Sequence, residues 1–274
     1  MKKTEPDEHD KSTENIKYYK DFSQDVIESA EQDHGIPKSY KWFHTNLFYR
    51  FCAVFVYALA VIFSYIYTMF VLHIKVINRG AFKKCKGEGI FLYGNHTLPM
   101  GDAFAPARYI FPRRLYTVVS SANLGIPVLG KLLPMIGALV VPEKSGDMKK
   151  LIDAMEYHLK HKRVIIIYPE AHQWPYCSFI RPFEETSFDF PVRFDAPAFC
   201  MTTTFQKRRH GDKPRITTYI DGPFYPDQTL GKRKAKKKLH DEIYECMKKR
   251  SEKTSYEYIR YVKMPESKSC EENP

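Results

Sequence analysis

The chain has 274 residues, 43% of them hydrophobic and 27% charged. That length and balance suit one large globular domain, or such a domain with an attached membrane element, and they exclude a collagen-like, coiled-coil or wholly disordered chain. Lys and Arg outnumber Asp and Glu by 43 to 32, a net charge of +11, which points to anionic partners: nucleic acid, phosphorylated small molecules or acidic lipid.

Residues 1–45 hold seven Lys against ten Asp and Glu, a net of −3, which leaves +14 on the remainder. This stretch is polar and without sustained apolar periodicity, so it reads as a disordered tail with a transient helix over 15–32. From Phe51 to Leu72 no residue is charged. Roughly 20 apolar residues in a helix match the thickness of a hydrocarbon core, so residues 46–73 are expected to form a membrane-anchoring helix, the alternative being a helix buried in the domain. Tyr57, Ser64, Tyr65, Tyr67 and Thr68 leave spanning and one-leaflet insertion both open. Lys75, Arg79, Lys83, Lys84 and Lys86 after the segment, against Lys38, Lys41 and Arg50 before it, place the following domain on the cytoplasmic side. Nothing at the amino terminus resembles a secretory signal.

Short β-rich runs then alternate with amphipathic stretches, the pattern of an α/β domain with a mixed sheet flanked by helices, over residues 74–250. Predicted strands are Gly89 to Tyr93, Leu115 to Val119, Ala138 to Val141, Val164 to Tyr168, Ala198 to Thr204 and Ile216 to Ile220. Predicted helices are Gly101 to Ile110, Asn123 to Leu132, Gly146 to His161 (with Ser145 as its N-cap) and Lys232 to Lys249. Residues 251–274 read as a polar tail. The six cysteines form no CxxC pair or other zinc-type spacing, so no metal is expected and reduced thiols are the default.

The strand at Ile90 runs into Gly94-Asn95-His96-Thr97-Leu98-Pro99-Met100-Gly101-Asp102. A His at the end of a buried strand sits where α/β sheets expose reactive groups, and a neutral imidazole steadied by a carboxylate can take a proton from a hydroxyl. Taken alone, the pair is a weak signal that reads more readily as a structural His beside a helix-capping Asp. Three further blocks follow: Met135-Ile136-Gly137-Ala138-Leu139-Val140-Val141-Pro142, then Val164-Ile165-Ile166-Ile167-Tyr168-Pro169-Glu170, then Ala196-Pro197-Ala198-Phe199.

In this order and spacing the four blocks resemble the glycerolipid acyltransferase family, which includes the 1-acylglycerol-3-phosphate acyltransferases; Arg181-Pro182-Phe183 fits the same pattern. The resemblance implies a membrane-associated O-acyltransferase of phospholipid biosynthesis. It would move a fatty acyl group from acyl-CoA or acyl carrier protein to a hydroxyl of a lysophospholipid or glycerol-phosphate-like acceptor, with no bound cofactor. His96 becomes the expected base and Asp102 its orienting partner, while Asn95 braces the turn. Glu170, His172, Lys144 and Arg181 are further candidates for substrate binding. His172 and Trp174 would line an acceptor pocket or merely fill a loop.

Three departures stand out. Five residues rather than four separate His96 from Asp102, the extra one expected to be absorbed by Gly101. The phosphate-binding arginines of the second and third blocks fall at Glu143, beside Lys144, and at Gln173. A catalytically silent lipid-binding or scaffold relative on the same fold is the rival reading. The basic run Lys232 to Lys238 reads either as a solvated helix start or as a contact with anionic lipid; without stacking aromatics or a recognised module it gives nucleic-acid binding no support.

Overall fold

The computed structural model describes residues 15–24, 36–37, 40–44 and 46–265. Nine strands and six α-helices are formed in these residues: β1 Ile16–Tyr19, α1 Leu47–Ile66, β2 Lys75–Ile77, β3 Ile90–Gly94, α2 Gly101–Ile110, β4 Leu115–Val119, α3 Leu129–Ile136, β5 Ala138–Val140, α4 Met148–Lys160, β6 Val164–Ile167, α5 Asp189–Phe194, β7 Ala198–Gln206, β8 Arg215–Phe224, α6 Lys232–Ser251 and β9 Arg260–Lys263. The mixed sheet is seven-stranded, in the order β2-β8-β7-β3-β6-β4-β5, as the α/β reading expected. Strands β3 to β7 run parallel and β8 is antiparallel to β7.

Burial on both faces explains why β3 and β6 are unbroken apolar runs rather than alternating ones. Alternation then sorts their side chains between two cores. Ile90 and Leu92 join Val164 and Ile166 under α1 and α2, whereas Phe91 and Tyr93 join Ile165 and Ile167 under α4, α5 and α6. In α6 the buried residues Ala235, Leu239, Ile243 and Met247 recur every fourth position, so one stripe faces the sheet and the lysines face solvent.

Several predicted elements are corrected. The single helix over 123–132 is a 3₁₀ turn at Ser121–Gly125 followed by α3, because Pro127 offers no N–H and keeps its predecessor extended. Ser145 lies in a 3₁₀ turn, and α4 starts only at Met148. The expected helix over 15–32 begins instead as β1, paired in parallel with β9; its remaining positions 25–32 lie outside the described residues. Both polar tails therefore contribute packed structure: Tyr19 is buried beside Trp174 and Cys177, with Phe22 and Tyr261 against them.

Helix α1, capped by the Asn46 side chain and continued by a π-helical turn at Tyr67–Val71, is apolar over a length that could cross a membrane. Ala53, Val61, Ser64 and Thr68 face the domain, whereas Leu47, Phe51, Phe55, Leu59, Ile62, Ile66 and Phe70 are exposed. The docked face is fastened along its whole length. Tyr57 Oη accepts from Leu115 N at 2.8 Å, Ser64 Oγ donates to Phe104 O at 2.7 Å, and Arg108 Nη1 donates to Thr68 Oγ1 at 3.1 Å.

Candidate active site

The site forms where β3 ends and α2 begins. Asn95 is buried and ties this loop to the neighbouring strand, its Nδ2 donating to Thr203 O at 3.0 Å and its Oδ1 accepting from Thr203 N at 2.8 Å. Asn95 thus braces the turn. One residue on, His96 and Asp102 meet: Nδ1 lies 2.8 Å from Oδ2, with the carboxylate almost wholly buried and the His side chain 23% exposed. The same Oδ2 accepts from Leu98 N at 2.9 Å. Because a carboxylate only accepts, Nδ1 carries the hydrogen and Nε2 is left with its lone pair.

The extra residue between them is absorbed at Met100, not at Gly101. Met100 adopts φ 53°, whereas Gly101 is needed for space, since a Cβ there would stand 2.8 Å from Leu98 Cβ. Tyr168 stacks on the imidazole with ring centroids 4.6 Å apart and donates from its hydroxyl to Asp102 O at 2.6 Å. Burial pushes the Tyr168 phenol well above its ordinary range, so it stays a neutral donor. Gln173 Nε2 donates to Leu98 O at 2.9 Å and lies 3.4 Å from Asp102 Oδ2. In sequence Gln173 stands only as the replacement of a family arginine, and Tyr168 carries no expected site role. Tyr168 immediately precedes the Pro-Glu pair, and that adjacency was the available signal.

Glu170 and Arg181 are brought to the loop but as its frame. Glu170 Oε2 accepts from His96 N at 3.0 Å and from Arg181 Nη2 at 2.9 Å, while Oε1 accepts from Arg181 N at 2.9 Å. Both side chains of this ion pair are enclosed, and the Arg181 guanidinium lies 4.7 Å from the Trp174 ring centre. Trp174 N donates to His96 O at 3.0 Å and Tyr176 N to Thr97 O at 2.8 Å, so the loop after β6 holds the His96 loop by its backbone. Trp174 itself is fully buried between Tyr19 and Tyr261 and lines no acceptor pocket. Asn95, Glu170 and Arg181 are all buried and hold the loop.

His172 is half-buried; its carbonyl accepts from Arg181 Nη2, and its side chain lies near Asp21, whose carboxyl is lowered mainly by Ser23 and to a lesser degree by His172. Lys144 is not brought to His96. It follows β5, three strands from β3 and so roughly 14 Å across the sheet, and with Glu143 it borders a cleft against Ile36 and Tyr40. Arg193 pairs with Asp189 at 3.1 Å within α5. The basic run opens α6 on the sheet face opposite α1, with Lys236, Lys237 and Lys238 paired to Glu185, Asp241 and Asp227.

Among the described residues, Cys200, Asp221 and Cys246 bring potential metal-ligand atoms within 4.8 Å of one another. Arg250 already holds that carboxylate through contacts of 2.6 and 2.8 Å.

No family model matches the sequence, and comparison with curated proteins finds no match. The fold is nevertheless that of a known acyltransferase: the crystal structure of the 1-acyl-sn-glycerophosphate (LPA) acyltransferase PlsC from Thermotoga maritima superposes with a TM-score of 0.55 at 12% sequence identity, covering 77% of this chain and 88% of that one. At that identity the likeness establishes the architecture, and the chemistry has to be argued from this chain's own residues.

Proposed function

We propose that this protein is an O-acyltransferase working at a membrane surface, transferring a fatty acyl group from the thioester of acyl-CoA or acyl carrier protein to a hydroxyl of a lysophospholipid or glycerol-phosphate-like acceptor. The observation that carries the reading is the His96–Asp102 pair, 2.8 Å apart on the partly open end of a buried strand. His96 Nε2 takes the acceptor's proton as its oxygen attacks the thioester carbonyl carbon. The C–S bond breaks on collapse of the tetrahedral adduct, and the proton passes from the imidazolium to the departing thiolate. Asp102 steadies the transient imidazolium, Tyr168 covers its face, and Glu170 holds its backbone. An intact pair at hydrogen-bond distance favours this reading over a silent scaffold on the same fold.

Membrane attachment rests on α1. Its outer side presents large apolar side chains, and its inner side is pinned to the domain from Tyr57 to Thr68. A helix so fastened lies along one leaflet rather than crossing both, with the cations Arg50, Lys75, Arg79 and Lys84 at its two ends facing headgroups on the cytoplasmic side.

The test is purified full-length protein supplied with acyl-CoA or acyl carrier protein thioester and a panel of lysolipids, scored by thiol release and by the mass of the acylated product. Product formation that depends on His96 is expected. Thiol release equal in the wild type and His96→Ala would overturn the proposal.

A further inference from the structure

A second cavity, of about 360 Å³, lies at the opposite end of the parallel strands, between the start of α1, the first residues of β4, the end of α4 and residues 40–44. Ala53, on its wall, precedes Leu72 by 19 residues, and Leu72 lies beside Gly101 near the His96 loop. At 1.5 Å per residue the two sites are roughly 28 Å apart. Four cations, Lys41, Arg50, Arg114 and Arg163, border the cavity, and among the described residues no Asp or Glu does.

Its donors are not used up internally. Arg114 Nε and His44 Nε2 are buried with no hydrogen-bond partner among the described residues, and buried polar groups are ordinarily paired. Arg163 donates to Tyr116 Oη at 3.0 Å and to His158 Nδ1 at 2.7 Å, which fixes His158 as a neutral acceptor. Burial first, and then Arg163, Arg114 and His161, push the His158 pKa down to about 3, as expected in a positively charged pocket without a counter-ion.

Beyond Val54 and Arg114, which line both, the cavity adjoins an apolar groove of about 630 Å³ between Tyr57, Val61, Ile62 and Tyr65 of α1 and Phe111–Pro112. It follows α1 from Val54 to Ile66, roughly 18 Å at helical rise. A cationic cup that opens onto an apolar trough matches an amphiphile, whereas free phosphate or a nucleotide would use only the cup. An acyl donor seated there would hold its thioester far from His96.

We infer that this cavity and groove bind one anionic phospholipid of the surrounding bilayer, its phosphate among Arg50, Arg114 and Arg163 and one acyl chain along α1, as a site separate from the catalytic one. The inference rests on the reading of α1 as membrane-embedded. Its test reads lipid binding without turnover, while flotation of the same variants with vesicles reads membrane attachment, so the two can fail separately.

The experiment is native mass spectrometry of the full-length protein in detergent with phosphatidylglycerol or phosphatidylcholine, alone and with added inorganic phosphate or acyl-CoA. One phosphatidylglycerol should be retained at least about tenfold more than phosphatidylcholine, through charge-assisted hydrogen bonds. Arg50→Gln combined with Arg163→Gln should reduce that about tenfold or more, and Lys83→Gln with Lys84→Gln, at the far end of α1, should not. Arg50 has no side-chain hydrogen bond or ion pair among the described residues, so Arg50→Gln alone, expected to weaken retention severalfold, is the variant that decides if the double one unfolds. Equal retention of the two lipids, undiminished binding in Arg50→Gln, occupancy by inorganic phosphate in place of lipid, or displacement by acyl-CoA would each overturn the assignment.

Discussion

The two ends of the parallel sheet solve the problem of buried polar groups in opposite ways. At the C-terminal end, Asp102 and Glu170 are buried and each carboxylate gathers donors from the chain itself: Leu98 N and the His96 ring for one, His96 N and Arg181 for the other. At the N-terminal end Arg114 Nε and His44 Nε2 have no hydrogen-bond partner among the described residues, as Arg181 Nε has none at the other end. Carboxylates that already hold their donors are preorganised for proton transfer, because they need not move when charge develops. A site left incomplete calls for a ligand to finish it.

That contrast can be broken most forcefully at His96. His96→Ala should lower acyl transfer by about 10²- to 10⁴-fold while far-UV circular dichroism is unchanged, since the imidazole is removed from a partly open position. Asp102→Asn should lose most activity as well. The amide can donate to Nδ1, which moves the ring hydrogen to Nε2 and removes the basic lone pair. Retained turnover in both variants would show that the pair is structural.

Next in size, Glu170→Ala should destabilise the protein by about 3–5 kcal/mol in denaturant unfolding, because Arg181 is left charged, enclosed and unpaired, and the His96 N–H loses its acceptor. A change below about 1 kcal/mol would mean that solvent reaches the pair.

At the other end the effect is absent at neutral pH and develops only in acid. Native His158, depressed from 6.5 to about 3, refuses a proton that the unfolded chain binds below about 6.5. The unfolded state therefore gains protons first, and stability should fall as pH drops from about 6.5 towards 3, by at most about 1.4 kcal/mol per pH unit from this group. Above that window His158 contributes no slope. His158→Gln, which keeps an acceptor for Arg163, should flatten the curve by this amount in urea titrations at several pH values; an unchanged slope would place the proton uptake elsewhere.

The smallest expected effect is that of Glu143→Arg. Its residue follows an edge strand three positions from β3, so acceptor choice between lysophosphatidate and a zwitterionic lysolipid should shift by about twofold or less, as for an exposed charge. A large gain for lysophosphatidate would bring the β5 end into the acceptor site. Gln173, bonded to Leu98 O beside Asp102, is the position where an altered acceptor contact should be sought instead.

Local pattern was enough to place most of the sheet. The aliphatic runs at β3 and β6 read as strands because both faces are buried, and the fourfold spacing in α6 read as a helix for the complementary reason. The 22 uncharged residues from Phe51 made α1 legible from length alone. His96 and Asp102 were ambiguous taken alone and acquired their expected roles only through the resemblance carried by the four blocks.

Tertiary structure decided what depends on segments distant in the chain. Polar composition hid β1 and β9, since a two-stranded pairing between residues 16–19 and 260–263 leaves no periodic signature in either stretch. Glu170 and Arg181 looked like substrate ligands until their mutual burial made them the frame of the His96 loop. Lys144 sits close in sequence to a recognised block yet three strands from the base, because strand order in a parallel sheet is not sequence order. The cationic cavity was invisible for the same physical reason: Lys41, Arg50, Arg114 and Arg163 come from four separate segments, and only packing gathers them around one cavity whose described lining holds no Asp or Glu.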